Sequence, residues 1–111
     1  MAHYEYVILT QAVEGQLEEF ERWYDEVHLG DVLKVPGIVA AKRSRIISQE
    51  AKDLAVPAWS SLAIYEMETD DPQKVIAAVK AVSSTAAMPL SDALSRFGLI
   101  QMVAQPVSRR P

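Results

Sequence analysis

The sequence predicts an α+β fold with the element order strand, helix, strand, strand, helix, strand. Three observations carry this. Four runs, 4–10, 38–47, 59–67 and 99–104, are rich in the β-branched, aromatic and aliphatic residues that suit a pleated surface. Two segments, one opening at Gln16 or Leu17 and one at Pro72, repeat apolar residues at helical spacing. Turn signals separate them: Glu14-Gly15, Pro36-Gly37 and Asp70-Asp71-Pro72.

The first run, 4–10, is nearly all apolar apart from Glu5, as expected of a central strand covered on both faces. The helix after it carries Glu18 and Glu19 in its first turn, where the helix dipole favours carboxylates. Gly30 is expected to end its regular part and Asp31 to cap a further turn over 32–34, before Pro36-Gly37 forbids continuation. The second strand, 38–47, holds the one basic cluster, Lys42-Arg43-Ser44-Arg45. Residues 49–57 read as a polar hairpin connection. In the third strand Leu62, Ile64 and Glu66 face one way and Ala63, Tyr65 and Met67 the other. Asp71 is the expected cap of the second helix, with Pro72 at its first position and Val75, Ile76, Val79 and Val82 on its apolar stripe. A short turn is expected at 91–94, then the fourth strand, then a frayed tail at about 105–111. This order is the ferredoxin-like split βαβ arrangement, a four-stranded antiparallel sheet with both helices on one face. The other face is left bare and apolar, and a face-to-face homodimer is the simple way to cover it.

With 111 residues the chain suits a single domain spanning 1–111, large enough for one ordinary core. Half the residues are hydrophobic and 23% are charged, the balance of a soluble globular protein. A net charge of −4 without a basic stripe argues against nucleic acid. The absence of cysteine excludes disulfides, thiolate metal sites and cysteine nucleophiles. His3 and His28 are far apart and lack a metal-binding pattern, there is no phosphate-binding glycine loop, and no cofactor is expected. No apolar run approaches a membrane span and the N-terminus does not read as a signal peptide, so a cytoplasmic location away from membranes is the expectation.

The stretch 20–37 holds the candidate chemistry. With Leu17 at zero on a helical wheel, Phe20 falls at roughly −60°, Tyr24 at roughly −20°, Val27 at roughly −80° and His28 at roughly +20°. Leu17, Phe20, Tyr24 and Val27 form the apolar stripe, with Glu18, Glu19, Arg22, Asp25 and Glu26 mostly opposite. His28 lies on the stripe, and Asp31, at roughly −40° on a continued helix, lies beside it. Tyr24, His28 and Asp31 therefore form a polar cluster where the pattern predicts core.

The motif Phe20-x-x-Trp23-Tyr24-x-x-x-His28, followed by Val35-Pro36-Gly37 and a strand with Arg43, resembles the EthD-like proteins of the dimeric α+β barrel superfamily. His28 matches the histidine of their motif; where a proline often stands two residues later, this chain has Gly30. The resemblance implies two sheets joined back to back in a homodimer, and a pocket for a small molecule between each sheet and its helices. It also implies the company of lactone isomerases, polyketide cyclases, quinone-forming monooxygenases and haem-degrading enzymes, alongside members of no known activity.

Each candidate has two readings. His28 is a general acid or base, or a core histidine bonded to a carbonyl or to Asp31. Tyr24 donates a hydrogen bond to a substrate oxygen, or is an aromatic core residue. Asp31 orients the His28 imidazole, or caps the helix turn after Gly30. Trp23 stacks on a ligand, or packs at a sheet edge. Arg43 holds a ligand anion, or makes an ion pair at the strand end. Tyr65 lines either the pocket or the dimer barrel. The functional reading is a small cofactor-independent enzyme with His28, Tyr24 and Asp31 catalytic and Trp23, Arg43 and Tyr65 binding the ligand. It would move a proton on a hydrophobic cyclic, aromatic or polyketide-like molecule, as an isomerase, cyclase or monooxygenase does. The alternative is a dimeric ligand-binding or accessory module without chemistry.

Overall fold

The computed structural model describes residues 1–111. Strands β1 (Ala2–Thr10), β2 (Ile38–Arg45), β3 (Ser61–Thr69) and β4 (Ile100–Ala104) form one antiparallel sheet in the order β2-β3-β1-β4. β1 is thus central, as its apolar run requires. The α+β ferredoxin-like topology follows, with the helical segments packed on one sheet face. No helix is long and apolar enough to cross a membrane.

Register decides which side chains meet the helices. Tyr6 pairs with Tyr65 and Ile8 with Ala63, and these four are buried together with Thr10 and Met67. Their alternates, Val7, Leu9, Leu62 and Ile64, are half-buried on the opposite face. Ile100 and Met102 extend that face and are 38% and 46% exposed. The sheet is therefore apolar on both sides, with helices covering only one.

Helix α3 (Pro72–Val82) starts as its sequence dictates. Asp71 Oδ1 accepts from the Lys74 backbone N–H at 3.2 Å, Pro72 occupies the first turn, and Val75, Ile76 and Val79 are buried. Residues 83–99 contain no regular helix or strand, yet Met88, Ala93 and Leu94 are buried and close one side of the core. Trp59 Nε1–H donates to the Gly98 carbonyl at 2.7 Å, tying the 46–60 connection to the approach of β4.

The first helical stretch departs from expectation. Gly30 does not end it. The chain runs as α1 (Leu17–Trp23), a π-helical segment (Tyr24–His28) and α2 (Leu29–Leu33) without a break, and Asp31 lies inside α2 rather than capping it. The Leu29 N–H bonds to the Tyr24 carbonyl, the i→i−5 pattern of a π turn. A π turn absorbs about one more residue than an α turn, so later positions are set back by roughly 100° on the wheel. Val27 is thereby turned outward, 39% exposed, and Val32 takes the core position, 1% exposed. His28 moves from roughly +20° to roughly −80°, close to Trp23 at roughly −120°. With no Pro at position 30, the helix has no reason to stop there.

This arrangement predicts opposite effects at two glycines. Gly30 is helical with open space around it, so Gly30→Ala is expected to stabilise by about 0.5–1 kcal/mol in chemical denaturation. Gly37 has φ +98°, and an added methyl would lie 2.7 Å from Val75 Cγ2. Gly37→Ala is expected to cost about 1–3 kcal/mol in the same assay.

Candidate functional site

Between the sheet and the first helical stretch lies a cavity of about 100 Å³. β1 contributes Tyr6, Ile8 and Thr10, and β3 contributes Tyr65. The helical stretch contributes Trp23, Tyr24, His28 and Val32. Met88, Leu90 and Leu94 close the far side. Exposed residues mark the mouth: Lys80 on α3, and Leu99 and Gln101 at β4.

The π segment sets the geometry of His28. Its imidazole stacks on the Trp23 indole, with ring centroids 4.6 Å apart and 26° between planes, and meets the edge of Tyr24 at 5.1 Å. Trp23 is itself anchored, its Nε1–H donating to the Pro89 carbonyl at 3.1 Å. His28 Nδ1 is fully buried and has no hydrogen-bond partner. Burial disfavours the imidazolium, and the Asp31 charge offsets this only in part, so the pKa falls to about 4. At neutral pH the ring is neutral, with one nitrogen to accept a proton and one to donate.

The second polar feature is a group of hydroxyls. Tyr24 lies against Tyr65 and Thr10 closely enough for the three to couple electrically. None of them makes a hydrogen bond of good geometry, and Thr10 Oγ1 and Tyr65 OH remain buried without a partner. Burial raises the pKa of Tyr24, pushes Tyr65 far above the usual tyrosine range, and together with Tyr24 pushes Tyr6 up to about 12. All three phenols keep their protons and act as donors. Buried hydroxyls without partners are costly, about 1–3 kcal/mol each, and mark a place where a ligand oxygen or water would be welcome.

Of the six residues singled out from sequence, Tyr24, His28, Trp23 and Tyr65 line the cavity. Asp31 does not line it and makes no hydrogen bond to His28. Its Oδ2 is buried and unpaired, and its Oδ1 lies 3.8 Å from Lys34 Nζ. The π turn sets His28 and Asp31 back by the same angle, so the orienting role fails for want of a hydrogen bond between them and not through rotation. Arg43 also lies outside the cavity. Its guanidinium bonds Asp25 Oδ2 at 2.9 Å and Glu21 Oε2 at 3.2 Å, and stands 5.8 Å from the Tyr24 ring centroid. Arg45 joins through Glu21 at 2.8 Å. Arg45 and then Arg43 hold Glu21 below the usual carboxylate range, and Arg43 does so for Asp25. The strand–helix ion pairs thus satisfy Arg43, the candidate for binding an anion, and Arg45 with it. Thr10, Tyr6 and Lys80 were not singled out. Tyr6 and Thr10 share the face of Ile8 at strand spacing, which was the available signal.

No protein-family model matches the sequence, and no curated protein matches it. Solved structures match it in fold. An EthD-like protein from Ralstonia eutropha is similar over 99% of this chain and 96% of its own, with a TM-score of 0.64 and 14% identity. A candidate monooxygenase from Shewanella loihica is similar over 97% of both chains, with a TM-score of 0.64 and 12% identity. A dimeric ferredoxin-like protein from an uncultured marine organism covers 99% of both, with a TM-score of 0.57 and 15% identity. The fold is therefore the ferredoxin-like α+β fold that these solved proteins, EthD-like proteins among them, share.

The depressed His28 pKa makes a prediction about acid stability. In the unfolded chain the ring binds a proton near pH 6.5, whereas in the fold it does so only near pH 4. The unfolded state thus holds more protons between these values, and stability falls as pH drops from about 6.5 to about 4. The loss is on the order of 3 kcal/mol at most, reduced by the partial exposure of the ring. Denaturation midpoints measured across this window should decline in the native chain and decline much less in His28→Gln. The His28 ring-proton resonances should titrate near pH 4.

Proposed function

We propose that this chain is a single-domain, cytoplasmic, homodimeric enzyme that uses its own side chains to move a proton on a small cyclic compound. The observation that carries the reading is a neutral imidazole held against Trp23 in an apolar cavity, with the Tyr24 hydroxyl group on the same helical stretch. His28 takes a proton from the carbon next to a carbonyl, and the resulting enolate places its charge on oxygen. Tyr24, backed by Tyr65 and Thr10, donates to that oxygen and lowers the barrier where charge develops. Trp23 and the aliphatic walls exclude water and confine the substrate ring at the edge of the imidazole, where its nitrogen lone pair points. A cavity of about 100 Å³ compares with the roughly 150 Å³ that holds benzene in an engineered protein. A single ring reaching into the mouth is favoured over a fused polyketide framework. The similarity to EthD-like proteins and to a candidate monooxygenase supports an enzyme of this general kind.

One observation favours a second reading, a dimeric binding module without chemistry. An imidazole whose conjugate acid has a pKa of about 4 is a weak base, and a ligand could bind beside it with no proton transferred.

Deuterium exchange separates the two. Small cyclic ketones and lactones are incubated with the protein in D₂O and followed by proton NMR. Turnover predicts accelerated exchange of the hydrogens next to the carbonyl, lost at least a hundredfold in His28→Gln and tenfold or more in Tyr24→Phe, with melting at pH 7.5 shifted by less than a few degrees. Saturable binding with no exchange above the solvent rate supports the module instead. The homodimer is tested separately. The open sheet face of Val7, Leu9, Leu62, Ile64, Ile100 and Met102 should give a solution mass twice the 12.3 kDa of the chain, and Ile64→Asp should return it to the single-chain value.

A further inference from the structure

We propose that the ligand of this cavity is a carboxylate, its ring in the apolar interior and its anionic group at the mouth, against Lys80. This rests on the small-molecule reading above and adds to it the chemical class of the ligand.

Charge placement carries the argument. The chain has 15 acidic residues against 11 basic ones, yet no aspartate or glutamate lines the cavity. Apart from His28, Lys80 is the one ionisable cation in its wall, and no carboxylate stands within ion-pair distance of the ammonium. The shallower groove that shares Lys80 is lined by Tyr6, Gln73, Ile76, Gln101, Met102 and Val103, again with no acid. The acidic side chains instead gather elsewhere. Glu18, Glu21, Asp25 and Glu26 line a groove on the outer side of the first helical stretch beside Arg22 and Arg45, and Glu18, Glu21 and Asp25 are each already paired with an arginine. An anion arriving at this protein finds the arginines of that face already engaged by carboxylates and meets an unopposed ammonium at the cavity mouth.

Geometry adds the rest. Lys80 is exposed and at the rim, while the residues behind it, Tyr24, Val32, Tyr65 and Met88, are fully buried. A rigid aromatic or alicyclic acid has this division, apolar at one end and charged at the other. It would leave its carboxylate hydrated on one side and avoid most of the cost of burying a charge. Ser83 and Gln101, also at the rim, supply hydrogen-bond donors beside the ammonium. Lys80 has a structural role as well, since a cation suits the last turn of α3. That role makes no distinction between ligands.

The test compares 4-hydroxybenzoate with phenol, two single-ring probes that differ by the carboxylate, in NMR or calorimetric titrations of the full chain. At low ionic strength 4-hydroxybenzoate is expected to bind about fivefold more tightly, as for one solvent-exposed ion pair. The ratio should shrink toward one in 0.5 M salt. Lys80→Gln should abolish the preference and leave phenol binding unchanged, and Lys80→Arg should retain it. Equal binding of the two probes by the native chain, or a preference that survives in Lys80→Gln, overturns the proposal. If phenol binds and 4-hydroxybenzoate gains nothing, the small-molecule reading stands and the carboxylate is wrong. If neither probe binds, both readings fall.

Discussion

Five aromatic side chains set the spacing between the sheet and the first helical stretch. Tyr6 and Tyr65 stand opposite each other on β1 and β3, with ring centroids 6.2 Å apart, and Phe20, Trp23 and Tyr24 meet them from above. Phe20 contacts Trp23 at 6.2 Å and Tyr24 at 5.5 Å, and Trp23 contacts Tyr24 at 5.2 Å. Rings of this size have few rotamers and fixed shapes, so the layer cannot relax into the space beside it as a layer of leucine or methionine would. The hollow follows from that stiffness. The buried phenols and the imidazole take their altered ionisation from being held in this dry layer.

The surrounding charges are arranged so as not to disturb it. Glu21 and Asp25 lie on the helix side away from the cavity and are engaged by Arg43 and Arg45 across the gap to β2. The Arg43 side chain is only 8% exposed, so removing either carboxylate would leave a nearly buried cation poorly paired. These ion pairs join β2 to the π segment and fix the helix against the sheet edge. They also engage both arginines of the strand, while Lys80, on α3, is the cation facing the opening.

Much of the fold was legible in the chain. Strand composition, the Asp71-Pro72 start and the Pro36-Gly37 turn act locally, so each element could be placed from its own residues. The helix–strand order then restricted the topology to one common arrangement. The site was legible in part. Tyr24, Trp23 and His28 were identifiable as aromatic and polar residues on one helix. Their mutual orientation was not, because a wheel of constant pitch has no place for a π turn, and nothing in Tyr24-Asp25-Glu26-Val27-His28 announces one. The same error put His28 across Tyr24 from Trp23 instead of over the indole. Lys80 was hidden for a different reason: its importance depends on which acids are absent nearby, and that is a property of the assembled surface.

The π segment also changes what a length mutation does here. In an ordinary helix, gaining or losing one residue spoils the packing of everything downstream. Here the surplus residue is already present and already accommodated, so dropping it restores regular pitch and leaves the following turn facing as before. Val32 would keep its core position and the imidazole its place over the indole, with the sheet and α3 untouched. A lineage built on this scaffold can therefore shed a residue from this stretch without rebuilding the wall of the hollow.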